Sequence, residues 1–273
     1  MVNGSQKTQV VAIVVFFVAI TVLIVAGFAH DWKPPVASEE GARVDSLIRY
    51  LLFATGSVLV AGATALVAFV WRYGRGAPSP APRSDPRLER WWSVVPVLGM
   101  AVIAEVGVLV KGLPVWKRVY GAPPPGALVV EVHAQQFEWW VRYAGPDGVF
   151  GRRDLRLLDP TANPLGLVPD DPAGRDDVVV RNVLRLPAGR PVHVKLRSRD
   201  VLHSFSIPEF RVKQDVVPGM VTAISFVPSR PGTYQIACAE LCGLGHYRMG
   251  ARVIVQQVEE FQAWSEAQNG AMR

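Results

Sequence analysis

The chain has 273 residues, half of them hydrophobic and 19% charged, with 29 Lys and Arg against 23 Asp and Glu for a formal charge of +6. That length allows one or two domains. The basic excess comes with no zinc-finger spacing and no nucleic-acid module, which excludes a nucleic-acid role.

Three long apolar stretches come first: Gln9 to Ala29, Leu47 to Val70 and Trp92 to Val110. Each reaches or approaches the roughly 20 residues that a helix needs to cross a bilayer, and a helix is the form that satisfies its own backbone there. Residues 1–110 are therefore expected to form a membrane domain of two or three helices. The stretch 9–29 is either an export signal, with Gly27-Phe28-Ala29 as a loose cleavage site, or a retained helix; its single basic residue, Lys7, and its long apolar core favour retention. Charge sets the orientation. Segment 71–91 carries Arg72, Arg75, Arg83, Arg87 and Arg90 against Asp85 and Glu89, whereas 30–46 has Asp31, Glu39, Glu40 and Asp45 against Lys33 and Arg43. The positive-inside rule puts 71–91 in the cytoplasm, and 30–46 with everything after Val110 outside. Glu105 lies within the third stretch, where an acid faces protein or water rather than lipid.

Residues 111–126 read as a linker, with Gly121-Ala-Pro-Pro-Pro-Gly126 as a stiff, extended connector. From 127 to 257 the pattern changes to short apolar or β-branched runs, such as Ala127–Val132, Val178–Val180, Val192–Leu196, Val221–Phe226 and Arg252–Val255. These predict an all-β sandwich or partly closed barrel. Gly145 to Gly174, rich in Asp, Pro, Gly and Arg, reads as a variable surface excursion. The tail 258–273 is expected to hold a short helix over Val258–Gln268, anchored by Phe261 and Trp264. From Lys111 onward there are 20 basic and 16 acidic residues, so the outer domain is itself basic, with Asp170, Asp171, Asp176 and Asp177 as a local acidic cluster.

The densest chemistry lies in Cys238-Ala-Glu-Leu-Cys242-Gly-Leu-Gly-His246-Tyr-Arg-Met249. Thiolates and a thioether select soft metals, and imidazole suits borderline ones. A disulfide and a redox dithiol are the metal-free alternatives, but Cys-x3-Cys lacks the Cys-x-x-Cys geometry of thioredoxin-like chemistry. Strands over Tyr234–Ala237 and Ala251–Val255 would fix the ends of this loop. Upstream, Asp200-Val-Leu-His203-Ser-Phe205 offers a second histidine.

The blocks Asp200-Val-Leu-His-Ser-Phe-Ser-Ile-Pro-Glu-Phe-Arg-Val-Lys-Gln-Asp215, Val217-Pro-Gly219 and Pro231-Gly-Thr-Tyr234, followed by Cys-x-Glu-x-Cys-x3-His-x2-Met, closely resemble subunit II of the haem-copper cytochrome oxidases. The resemblance implies N-terminal transmembrane helices followed by an all-β cupredoxin-like Greek-key barrel or sandwich. It also implies a binuclear copper A centre bridged by Cys238 and Cys242. His203 and His246 would each bind one copper, with Met249 and the Glu240 backbone carbonyl as weaker ligands. The Glu240 side chain would bind an interfacial magnesium shared with subunit I. Leu88–Pro96 resembles the start of the family's last membrane helix, which makes Glu89 a candidate proton-channel mouth.

Ala134–Tyr143 resembles the family's aromatic strand, where Phe137 and Trp139 mark the electron path; Phe137 stands where many members have tryptophan. The implied partners are subunit I with haem and a second copper site, subunit III, the lipid membrane, and cytochrome c or a membrane-linked cytochrome donor. The chain has no Cys-x-x-Cys-His haem motif, so the donor is expected on another polypeptide. The implied location is a bacterial cytoplasmic membrane with the copper domain on its outer side. The implied function is to receive electrons for an oxygen-reducing, proton-translocating enzyme, with no oxygen reduction by this chain alone. The alternatives are a copper A subunit of a nitric-oxide reductase and a membrane-tethered copper donor or storage protein.

Overall fold

The computed structural model describes residues 4–30, 33–74 and 85–271. The chain divides into two units, Met1–Lys33 with Asp45–Leu113, and Pro34–Val44 with Pro114–Arg273. Part of the expected cytoplasmic segment, residues 75–84, lies outside the described residues, as does Asp31.

The first unit is helical: α1 spans Gly4–Ala29, α2 Glu39–Gly74 and α3 Pro86–Gly107. Three stretches, Thr8–Ala29, Glu39–Tyr73 and Pro86–Tyr120, are long and apolar enough to cross a membrane. Asp85 caps α3 by accepting the Arg87 N–H at 2.9 Å, with Pro86 and Glu89 in the first turn, where a missing donor and a negative charge are both tolerated. α2 and α3 approach closely at Gly107, where a Cβ would stand 1.9 Å from Tyr50 Cε1. The Tyr50 hydroxyl also donates to the Ile103 carbonyl. A five-residue π turn, Val108–Gly112, then leads into α4, Leu113–Tyr120. The expected linker 111–126 is thus helical as far as Tyr120, because α4 has an apolar face to bury: Val119 joins the β-unit's core and Val115 packs against it.

The second unit is a sandwich of two five-stranded sheets. Its strands are β1 Leu128–Gln135, β2 Glu138–Tyr143, β3 Val178–Arg181, β4 Val183–Pro187, β5 Val192–Ser198, β6 His203–Ile207, β7 Val212–Val216, β8 Thr222–Phe226, β9 Gly232–Cys238 and β10 Gly250–Gln256. One sheet runs β3-β2-β1-β5-β8 and the other β4-β10-β9-β6-β7. Parallel pairs β1/β5 and β4/β10 interrupt otherwise antiparallel ladders, an arrangement of cupredoxin-like type. Inward-facing Val130, Val132, Val194, Leu196, Phe205, Ile224 and Val253 build the core, each fully buried, in the period of two that a strand imposes.

Glu131 and His133, on the opposite face of β1, are buried too. The excursion expected as surface decoration covers them. Arg142, 1% exposed, ties it down: its Nη2 donates to the Gly151 carbonyl at 2.6 Å, its Nε to Asp177 Oδ2 at 3.1 Å and its Nη1 to Glu131 Oε2 at 3.3 Å. Residues 34–44 are strapped to the same unit. Ala37 N–H donates to the Glu209 carbonyl at 2.8 Å, and Val227 N–H to Glu40 Oε2 at 2.7 Å. Terminal helix α5, Val258–Ala271, docks through Trp264 and Phe261, whose rings lie 5.1 and 6.3 Å from that of Tyr143.

Candidate metal centre

Strand pairing gathers the ligand candidates. β6 begins at His203 and β9 ends at Cys238, and the two meet through Phe205↔Cys238 and Ser206↔Ala237. On its other side β9 pairs with β10 from Gly250↔Ala237, and Cys238 N–H donates to the Met249 carbonyl at 3.2 Å. A short 3-10 turn over His246–Arg248 folds the intervening loop back on itself.

The donor atoms converge. Cys238 Sγ lies 3.8 Å from Cys242 Sγ, 3.9 Å from His203 Nδ1 and 3.2 Å from the Glu240 carbonyl oxygen. Cys242 Sγ lies 3.6 Å from both His246 Nδ1 and Met249 Sδ. His203, Cys238, Cys242 and Met249 are all buried, and both cysteines are free thiols. Burial, and then the neighbouring Cys238, pushes the Cys242 thiol up to about 11, so this thiol holds its proton until a cation displaces it. Two thiols and a thioether supply soft donors and two imidazoles borderline ones, with a carbonyl beside them, a set that fits copper.

Sequence reasoning gave Asp200 no role, although the i, i+3 spacing Asp200-x-x-His203 was there to see. Its Oδ1 accepts from His203 Nε2 at 2.8 Å, and the ring's other nitrogen, Nδ1, is the one nearest the cysteines. Its carboxylate also accepts the Gln136 and Val201 backbone N–H groups, each at 2.7 Å. Burial raises the Asp200 carboxyl, but the His203, Gln136 and Val201 bonds outweigh it and hold the group below its ordinary value. Gln136 was likewise missed; its Nε2 donates to the Cys242 carbonyl at 2.6 Å and so pins the ligand loop.

A model of the periplasmic domain of cytochrome c oxidase subunit II matches residues 169–258. The alternative cytochrome c oxidase subunit 2 of Bradyrhizobium diazoefficiens is 41% identical over 94% of this chain and 91% of its own length. The chain belongs to the cytochrome c oxidase subunit II family. The cytochrome c oxidase subunit 2 of Thermostichus vulcanus is 30% identical over 87% of this chain and 79% of its own. Among solved structures, the periplasmic domain of subunit II of cytochrome oxidase from Bradyrhizobium japonicum is 25% identical over 55% of this chain and 99% of its own, at a TM-score of 0.40. Membership in the subunit II family implies a copper centre, and the converging donors are where the chain can hold it.

The other predicted residues fall differently. Trp139 is fully buried, its ring edge-on to His203 at 6.2 Å and to Phe205 at 5.9 Å. Phe137 is half-buried against the ligand loop, where a Cβ on Gly245 would stand 2.5 Å from its Cδ2. Gly245 is therefore what lets this ring lie on the loop. The Glu240 side chain pairs with Lys213 Nζ at 3.1 Å, and that ammonium also lies 3.5 Å from Asp215. Glu89 is exposed in the first turn of α3, in the helical unit. The acidic cluster is largely spent inside the fold: Asp177 pairs with Arg142, Asp171 with Arg152, and Asp176 accepts the Asp147 N–H.

Proposed function

We propose that this chain is the electron-accepting subunit of a respiratory haem-copper oxygen reductase, taking electrons at a binuclear copper centre outside the membrane and handing them to haem in subunit I. The observation that carries this reading is the pair of free thiols 3.8 Å apart, with His203 on the Cys238 side and His246 with Met249 on the Cys242 side. When bound, a copper pair supplies one-electron chemistry. Cys238 and Cys242 would lose their protons and serve as bridging ligands. His203 is held by Asp200 and His246 by the loop's 3-10 turn, while Met249 and the Glu240 carbonyl are placed as weaker ligands. A buried donor set fixed by paired strands needs little rearrangement when charge arrives.

The side chain of Glu240 is proposed as the magnesium ligand toward subunit I, with Lys213 holding the carboxylate until the cation replaces it. Phe137, half-exposed and in contact with the ligand loop, is the proposed point where electrons arrive from cytochrome c or a membrane-linked cytochrome; buried Trp139 is assigned to the path behind it. Glu89 is proposed at a proton-channel mouth in a proton-translocating complex that also contains subunit III. The outer placement is supported by residues 34–44 and 114–120, which both belong to the β-unit. The membrane is proposed to be a bacterial cytoplasmic membrane.

Copper analysis and electron paramagnetic resonance of the purified full-length chain test the assignment. Two coppers per chain with one coupled spectrum are expected, and Cys238→Ser or Cys242→Ser should abolish that spectrum. Met249→Leu should keep both metals and shift the potential. One copper per chain, or two uncoupled signals, would instead indicate a copper donor or storage protein.

A further inference from the structure

A second site lies beside the metal centre. A cavity of about 690 Å³ is lined by His133, Gln135, Gln136, Arg153, Arg197, Arg199 and Asp200, with Leu155, Leu158 and Met220 among its apolar residues. Its size falls in the range of small-ligand pockets, roughly 300–1,000 Å³. Among the charged residues that line it, three are arginines and one is an aspartate.

These cations have little acidic compensation: Arg199 Nη1 donates to the neutral Gln135 Oε1. Asp200 is already committed to His203 and to two backbone N–H groups. Arg197 Nε is buried and stands 3.7 Å from Glu131 Oε1, too far for a hydrogen bond. Glu131 must at the same time serve Arg142, at 3.3 Å, and His133, at 3.4 Å. Among the described residues, the side-chain hydrogen bond of Arg153 runs from Nε to the Leu165 carbonyl at 2.8 Å. Burial destabilises the Arg153 cation first; Glu131 counters this, while Arg197, Arg142 and Arg199 add to it. His133 is fully buried; its Nε2 stands 3.4 Å from the shared Glu131 Oε2, and its Nδ1 has no hydrogen-bond partner among the described residues. Buried polar atoms are rarely left in this state unless something absent from the protein completes them.

We propose that this cavity is an anion-binding site for a small ligand bearing a phosphate or carboxylate group, with Arg153, Arg197 and Arg199 as its cationic clamp. Guanidinium groups match both oxyanions through paired N–H donors. Leu155, Leu158 and Met220 offer surface to an apolar part of the ligand. Asp200 lines the cavity and holds His203, so a bound anion would stand one residue away from a metal ligand. The assignment is independent of copper.

Equilibrium dialysis of radiolabelled pyrophosphate against the detergent-solubilised full chain tests it, with citrate as the carboxylate competitor. One saturable site per chain is expected, and each of Arg197→Gln and Arg199→Gln should weaken it by at least about tenfold, the scale of a lost charge-assisted hydrogen bond. Displacement by citrate would show that the site accepts carboxylates, and its failure to displace would assign the site to phosphate; both support the proposal. Arg190→Gln is the control, an exposed arginine outside the cavity, and should bind as the parent does. Met220→Trp keeps every charge but places bulk at an exposed lining residue, so loss of binding there cannot be blamed on a misfolded arginine variant. Equal binding by the parent and both arginine variants, or only non-saturable uptake that salt removes equally from all of them, would overturn the proposal.

Discussion

At the residue scale, the bond from Asp200 to His203 decides which ring nitrogen faces the thiols. Carboxylate partners of this kind orient a ligating histidine and raise its basicity, and losing one costs about 10–100-fold in metal affinity. Asp200→Asn is expected to retain the fold and to release copper to a competing chelator at correspondingly lower chelator concentrations. An unchanged competition curve would remove Asp200 from this role. The loop's four candidate donors, Cys238, Cys242, His246 and Met249, stood out in the sequence because one strand-to-strand connection carries them all within twelve residues. His203 was legible only through the family block around it, since a histidine 35 residues upstream of Cys238 has no local periodicity tying it to the loop.

At the scale of elements, β1 shows where alternation misleads. Its sequence Leu-Val-Val-Glu-Val-His-Ala-Gln places Glu131 and His133 on what would be a solvent face, but the excursion after β2 closes over them. No pattern in that Asp- and Pro-rich segment announces this, because it is held by Arg142 and Asp177 rather than by an apolar stripe. The closure has a pH signature. Burial drives His133 down to about 4 from 6.5, with the Glu131 contact opposing. Burial raises Glu131, but the close His133 contact and the Arg142 and Arg197 charges outweigh it and bring it from 4.5 down to about 2.

Both folded-state values lie below the unfolded ones, so the unfolded chain takes up protons first as pH falls. Stability is therefore full above about pH 6.5 and is lost in two overlapping windows, 6.5 to 4 and 4.5 to 2, by a few kcal/mol in total. Asp177, pushed up by burial despite Arg142, returns part of that loss near the lower window. Thermal midpoints of the copper-free chain across pH should follow this curve, and His133→Leu should flatten its upper window. A parallel curve for that variant would contradict the assignment. In the helical unit, Gly107→Leu should separate α2 from α3, because the added side chain meets the Tyr50 ring. Loss of a cross-link engineered between these helices would report it, whereas unchanged cross-linking would show that the helices adjust.

At the scale of the whole molecule, the order of three apolar helices followed by a β-sandwich was legible because hydropathy length and strand alternation are separate signals. The extension of the third helix to Tyr120 was not, since the long apolar run ends at Val110 and 111–126 read as a linker. The helix α1 is expected to remain in the mature protein. Intact-mass measurement of chain purified from membranes checks this, and a start near His30 would leave two helices.

The joint between β6 and β9 consists of only two residue pairs, the shortest seam in either sheet. His203 lies at one side of that seam and Cys238 at the other, so a cation held by both would act as a rivet across the place where the sheet is most easily opened. Maturation then has a built-in order: the loop's own donors are local and can meet early, but the site closes only after two distant strands have found each other.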